Sequence, residues 1–202
     1  MNFTFLASFV GAMWILSRII KKDRTIDKKK VQEFWDKEAK ANFIRKKSLD
    51  DLPYVTIPES ILSMEPASSN ETIQSCLMSL QDLSNKKIVN LTGISNTDLK
   101  LKYGTANITI LSEYDSNYTN LVTTLQKLAE ALVEEGESAL AMQVLEFAVS
   151  TGSDVSKTYY LLSDLYQEAG TPEKCSYLLQ RAEKLHTLMR DAIVRRLQAS
   201  GQ

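Results

Sequence analysis

The chain has 202 residues, of which 44% are hydrophobic and 24% are charged, with seven glycines, four prolines and one histidine. This ordinary globular composition excludes a collagen-like or wholly disordered chain, and the few turn-forming residues disfavour a many-stranded barrel or sandwich. The two cysteines cannot build a disulfide framework, and a single histidine leaves little for a histidine-based metal site or catalytic triad. We therefore predict an all-α protein.

Charge is distributed unevenly along the chain. Residues 18–47 contain twelve Lys or Arg against five Asp or Glu, whereas residues 48–202 contain twelve against twenty. The formal net charge of −1 thus combines a basic N-terminal stretch with an acidic body. Such asymmetry predicts a membrane or a nucleic acid beside the basic stretch, and the residues that precede the stretch decide between them.

Residues 1–21 are predicted to form a single transmembrane anchor. No charged side chain occurs from Phe3 to Ser17, and about 18–20 helical residues span the roughly 30 Å hydrocarbon core of a bilayer. A cleavable signal peptide carries its positive charge before the apolar run, and a surface helix needs a polar face, so both alternatives are disfavoured. The residues predicted to flank the anchor are Trp14, Arg18, Lys21, Lys22 and Arg24.

This flank has consequences for location and partners. Lys and Arg concentrate on the cytoplasmic side of membrane spans, so we expect a cell-membrane protein whose C-terminal domain is cytoplasmic. An apolar segment before the basic stretch favours a membrane neighbour, and no nucleic-acid partner is expected.

A basic helical stalk is expected over residues 22–47, because apolar residues recur there at three- and four-residue spacings. Its aromatic residues Phe34, Trp35 and Phe43 are expected to pack against other helices, with an exposed partner-binding stripe as the alternative.

An extended linker is expected over residues 48–69, where Pro53 and Pro58 restrict the residues before them to extended conformations. Its apolar side chains predict that it lies against the helical body.

Residues 70–121 are expected to form a helical N-terminal cap region. Asn70 is a predicted N-cap for a helix that runs through Leu83, and Gly104 is expected to close a short helix that begins at Thr97. Residues 87–94 are compatible with a short strand for which no partner is apparent. A further helix is predicted over residues 106–120.

The C-terminal third repeats with a period of 34 residues. Seven pairs at this offset match in residue class: Leu128 with Leu162, Ala129 with Ser163, Leu132 with Tyr166, Gly136 with Gly170, Ala141 with Cys175, Leu145 with Leu179, and Ala148 with Ala182. Small residues permit close helix crossings, large ones fill the space between helices, and glycine turns the chain. An ordinary helical hairpin bundle is the alternative.

The pattern resembles the tetratricopeptide repeat, a helix–turn–helix unit of 34 residues. The resemblance covers residues 122–155 and 156–189 and departs from the family at Ser153, where a proline is usual. It implies stacked helical hairpins, and residues 190–202 are expected to supply a capping helix and tail.

In tetratricopeptide domains the first helix of each repeat lines a concave surface where peptides dock. The residues that the resemblance places there as partner-binding residues are Gln126, Glu130, Glu134, Lys157, Tyr160, Asp164, Gln167 and Glu168. The acidic excess predicts a basic peptide or protein segment as partner, with Tyr160 as an aromatic anchor. The competing interpretation is that these acids are solvated surface residues that only keep the protein soluble.

No catalytic residue, cofactor-binding residue or metal ligand is predicted, because the sequence carries none of the phosphate-binding, metalloprotease or serine-hydrolase motifs. The function expected is a membrane-anchored adaptor or assembly factor, not an enzyme. The alternatives are an outward-facing envelope assembly protein with the same anchor, and a membrane-tethered enzyme with a site in residues 84–118. Homo-oligomerisation stays open.

Overall fold

The computed structural model describes Arg18 and residues 28–200, and throughout these residues the regular structure is helical. The prediction of an all-α fold is confirmed for this part of the chain. The helices are α1 (residues 28–42), α2 (Glu59–Leu62), α3 (Glu71–Ser84), α4 (Asn96–Tyr103), α5 (Ile108–Glu134), α6 (Ser138–Ser150), α7 (Ser156–Glu168), α8 (Lys174–Glu183) and α9 (Arg190–Ser200).

Apart from Arg18, the predicted membrane anchor and its basic flank lie outside the described residues. Among the helices that are described, none combines the length and the apolar composition that a membrane crossing requires.

The chain divides into two compact units, the first of which comprises residues 1–47 and 95–108. Within it, Glu38 of α1 accepts hydrogen bonds from Lys100 and Thr97 of α4, and these two partners hold the pKa of Glu38 below its ordinary value. A second ion pair joins Lys37 Nζ to Asp98 Oδ1 at 2.6 Å. Polar side chains therefore fix α4 against the C-terminal half of α1.

The stalk differs from its prediction in two respects. Helix α1 ends at residue 42, and residues 44–47 are not helical: Lys47 donates its N–H to the carbonyl of Tyr103 at 3.0 Å. The aromatic residues Phe34, Trp35 and Phe43 are exposed, so the expectation that they pack against other helices is wrong.

The second unit comprises residues 48–94 and 109–202. Its first segment lies against the helical body as predicted, with Leu52, Ile57, Ile61 and Met64 buried, but it is not extended throughout because α2 forms one helical turn. Val89 forms an isolated antiparallel bridge with Tyr54, which gives the apolar run after α3 a single point of β-type pairing.

Helix α3 begins as predicted, because the side chain of Asn70 accepts a hydrogen bond from the N–H of Thr72 at 2.8 Å. The region before the repeats is otherwise simpler than expected. Instead of one helix over residues 106–120 and another from residue 122, α5 is continuous for 27 residues. The same helix therefore spans the predicted cap region and the first repeat.

Helix boundaries recur at an offset of 34 residues. Helices α5 and α7 end at Glu134 and Glu168, and each is followed by a glycine of positive φ, Gly136 at +79° and Gly170 at +68°. The pairs Leu128 and Leu162, Ala129 and Ser163, Leu132 and Tyr166, and Ala148 and Ala182 are all buried. The match weakens on α8, where Leu178 is fully buried and the predicted Leu179 and Cys175 are only partly buried.

Side chains from outside the hairpin hold the C-terminal end of α6. Arg181 donates to the carbonyls of residues 149 and 150, at 3.2 and 2.8 Å, and Asn90 donates to those of residues 151 and 152. Ser153 donates its N–H to the carbonyl of Ala148 at 3.2 Å, and its own carbonyl accepts the Tyr159 hydroxyl at 2.8 Å. A proline at position 153 would lack this N–H and could not form the hydrogen bond to Ala148.

The close approach of residue 93 to the loop after α8 yields a stability prediction. Gly93 and Gly136 have nearly the same φ, +83° and +79°, but a Cβ on Gly93 would lie 2.7 Å from the carbonyl oxygen of His186 and one on Gly136 would meet nothing. Gly136→Ala should cost about 1 kcal/mol through backbone strain alone. Gly93→Ala should lower the free energy of unfolding by at least about 1 kcal/mol more, because the backbone at residue 93 or residue 186 must move to admit the methyl group. Equal losses in the urea-derived free energy of unfolding would contradict this packing.

Candidate protein-binding site

The residues predicted to bind a partner lie on α5 and α7. With about 100° of rotation per helical residue, Gln126, Glu130 and Glu134 fall within about 80° of one another around α5. The α7 residues Lys157, Tyr160, Asp164, Gln167 and Glu168 likewise share one side of their helix. The predicted set therefore forms two neighbouring helix faces, which we call the α5–α7 surface.

Three of the predicted residues are used to join the two helices. Gln126 is 8% exposed; its Oε1 accepts the hydroxyl of Thr158 at 2.7 Å and its Nε2 donates to Glu130 Oε1 at 2.9 Å. Lys157 Nζ lies 3.4 Å from the same Glu130 oxygen. Gln126 is thus a structural residue in the seam between α5 and α7, and the charge of Glu130 is largely balanced.

Three acidic residues on the same surface are differently placed. Glu134, Asp164 and Glu168 are exposed, and the ion pairs formed by the described residues leave their carboxylates unpaired. Glu135, the neighbour of Glu134, is instead tied to the start of α3: Asn70 Nδ2 donates to its Oε1 at 2.7 Å, and this amide and the Ser68 hydroxyl hold the pKa of Glu135 below its ordinary value. On the α5–α7 surface, the carboxylates without an ion-pair partner are therefore those of Glu134, Asp164 and Glu168.

The remaining predicted residues differ in exposure. Tyr160 is half-buried and packs against the hydrophobic core, which leaves part of its ring accessible beside Asp164 on α7. Gln167 is exposed near the end of the same helix. The surface therefore presents one fixed aromatic edge among polar side chains.

Sequence reasoning missed residues that border this surface. Lys127 is exposed and lies within about 60° of Glu130 and Glu134 around α5, so it adds a positive charge. Nearer the start of α5, a shallow cavity of about 490 Å³ is lined by α3 and α5, and the exposed Met78 lies at its edge. The periodicity of α3 assigned its buried face and gave no information about its outer face.

Other titratable groups of the second unit lie in its loops and in its core. His186 lies in the loop between α8 and α9, and it borders a cavity of about 310 Å³ with Asn90 and Lys184. Burial raises the pKa of the Cys76 thiol and raises that of Tyr118 to about 12. Within the described residues, no group of three His, Cys, Asp or Glu side chains is placed to hold a metal ion.

Comparison with known proteins finds no match to this chain among protein-family models, curated proteins or solved structures.

The contact between Gln126 and Thr158 generates a double-mutant prediction. Thr158→Val keeps the side-chain shape but leaves the Gln126 oxygen buried without its donor, which should cost about 1–3 kcal/mol in the free energy of unfolding. Gln126→Leu should cost a similar amount by leaving the Thr158 hydroxyl unpaired. The double variant should cost less than the sum of the two, because neither polar group remains.

Thr123→Val provides the matched control, since Thr123 is exposed and its hydroxyl bonds within its own helix. It should change stability by no more than about 0.5 kcal/mol. Additive losses for Thr158 and Gln126 would show that they are not energetically coupled.

Proposed function

We propose that this protein is a membrane-anchored interaction module whose α5–α7 surface binds a basic peptide or protein segment on the cytoplasmic side of the membrane. The observation that carries the proposal is the placement of three exposed, unpaired carboxylates, Glu134, Asp164 and Glu168, on adjacent helices. Residues 122–189 would act as two tetratricopeptide-like repeats. The recurrence of helix ends and buried residues at 34-residue intervals supports this part of the proposal.

We propose separate tasks for the predicted residues. Gln126, Glu130 and Lys157 keep α5 and α7 in register, so they provide rigidity and not a contact for the partner. The three unpaired acids attract Lys and Arg side chains of the partner and orient its approach. Tyr160, which packs against the core, offers the accessible part of its ring to an Arg or Lys side chain.

Binding of this kind is weak and sensitive to salt. Exposed charges interact through water, and a Debye length of about 8 Å at physiological ionic strength confines their attraction to near contact. An anchor compensates for weak affinity by holding the module at the membrane, where a membrane-bound partner has a high effective concentration. The apolar run from Phe3 to Ser17 and the basic residues after it support such an anchor and a cytoplasmic domain.

Charge reversal on α7 tests the proposed surface. The probes are a fluorescein-labelled Lys- and Arg-rich peptide and an acidic peptide of equal length, titrated with the full chain in detergent micelles. Asp164→Lys combined with Glu168→Lys should weaken binding of the basic peptide by at least about tenfold and leave secondary structure unchanged. The acidic peptide should not bind the unmodified chain.

Glu113→Lys combined with Glu183→Lys is the matched control, because both residues are exposed, lie outside the α5–α7 surface and change the net charge equally. It should leave most of the binding intact. Equal weakening by both pairs would show that overall charge, and not this surface, governs the interaction.

A further inference from the structure

Helix α1 carries an apolar stripe that no described residue covers. Val31, Phe34 and Trp35 are 55%, 52% and 59% exposed, and the two aromatic rings contact each other edge to face at a centroid distance of 5.4 Å. With about 100° of rotation per residue, the three side chains fall within about 100° around the helix axis. They form one continuous patch over the first two described turns.

The stripe ends where the contact with α4 begins. Glu38 and Ala41 continue the same side of α1 toward its C-terminus, and there Glu38 bonds to Lys100 and Thr97 while Ala41 is fully buried. This side of α1 therefore packs within the first unit after residue 37 and is exposed before residue 37. This confines any external contact to the N-terminal turns.

Charged residues are arranged around the stripe in a specific way. Lys28 and Lys30 are exposed and lie within about 40° of its two borders, one on each side. The acids of the same turns, Glu33 and Asp36, lie on the opposite side of the helix together with Lys29, whose Nζ lies 3.9 Å from Glu33 Oε1. An apolar sector with lysines at both borders and acids opposite is the arrangement of helices that lie in the interface of an anionic bilayer.

We propose that the first two described turns of α1 insert Val31, Phe34 and Trp35 into the interface of an anionic membrane. Lys28 and Lys30 extend their stems along the apolar patch and place their ammonium groups among the phosphates. Aromatic side chains favour this depth of a bilayer. The occupant is a lipid surface rather than a protein, because the lysine borders complement anionic headgroups and the charge-free segment from Phe3 to Ser17 lies shortly before the stripe.

The contact has a functional consequence that goes beyond partner binding. Insertion of the stripe holds the first unit at the membrane surface, because α4 is bonded to α1 directly after the stripe. The inference rests on the proposed anchor, so the experiment reports anchoring and helix insertion separately.

Trp35 fluorescence in vesicles tests the inference. The full chain with Trp14→Phe, which leaves Trp35 as its only tryptophan, is reconstituted into phosphatidylcholine vesicles with and without about one quarter phosphatidylglycerol. We expect a blue-shifted Trp35 emission and quenching by lipids brominated near the headgroup, both stronger with phosphatidylglycerol. Flotation after alkaline carbonate washing measures the anchor independently.

Two double variants distinguish the charge at the borders of the stripe from the total charge of α1. Lys28→Gln with Lys30→Gln should remove the dependence of the Trp35 shift on phosphatidylglycerol, whereas Lys29→Gln with Lys40→Gln, on the opposite side of α1, should preserve it. Protein that floats with the vesicles while its Trp35 emits as in water and is not quenched would overturn the inference and retain the anchor. Loss of flotation in both lipid mixtures would overturn the anchor and the inference together.

Discussion

Burial of the facing sides of α5–α8 is the constraint on which the rest of the second unit depends. Leu128, Leu132, Leu145 and Leu162 are at most 1% exposed, and burying each leucine side chain contributes about 1.5–3 kcal/mol. Such packing requires small residues where helices cross, and Ala129, Ala141, Ala148 and Ala182 occupy the core. The spacing of large and small residues therefore determines which sides of α5 and α7 remain exposed to solvent.

The same packing limits what the available surface does. A polar side chain near a helix seam is stabilised by a hydrogen-bonding partner, and Gln126 finds that partner in Thr158. Residues that a repeat alignment assigns to ligand binding are thus divided between holding helices together and facing solvent. What faces solvent is mostly negative charge with one partly accessible aromatic ring, a combination suited to transient, charge-directed recognition.

The all-α class is predictable from the sequence because apolar residues recur at helical spacing. The sequence does not reveal that α5 is continuous, although the absence of Gly and Pro between Gly104 and Gly136 is a signal in hindsight. The use of Leu178 rather than Leu179 in the core is not predictable, since both are apolar and their adjacent positions do not distinguish them. Burial of Gln126 depends on a residue 32 positions away and becomes visible only when α5 and α7 are placed together.

Photocrosslinking in intact membranes tests whether the α5–α7 surface binds a basic segment of another protein. A benzophenone amino acid placed at Asp164, on the α5–α7 surface, is compared with the same group at Glu183 on α8, and captured peptides are identified by mass spectrometry. The account predicts that position 164 captures a Lys- and Arg-rich segment of another protein and that position 183 does not. Capture of that segment from position 183 alone, or equally from both positions, would contradict it.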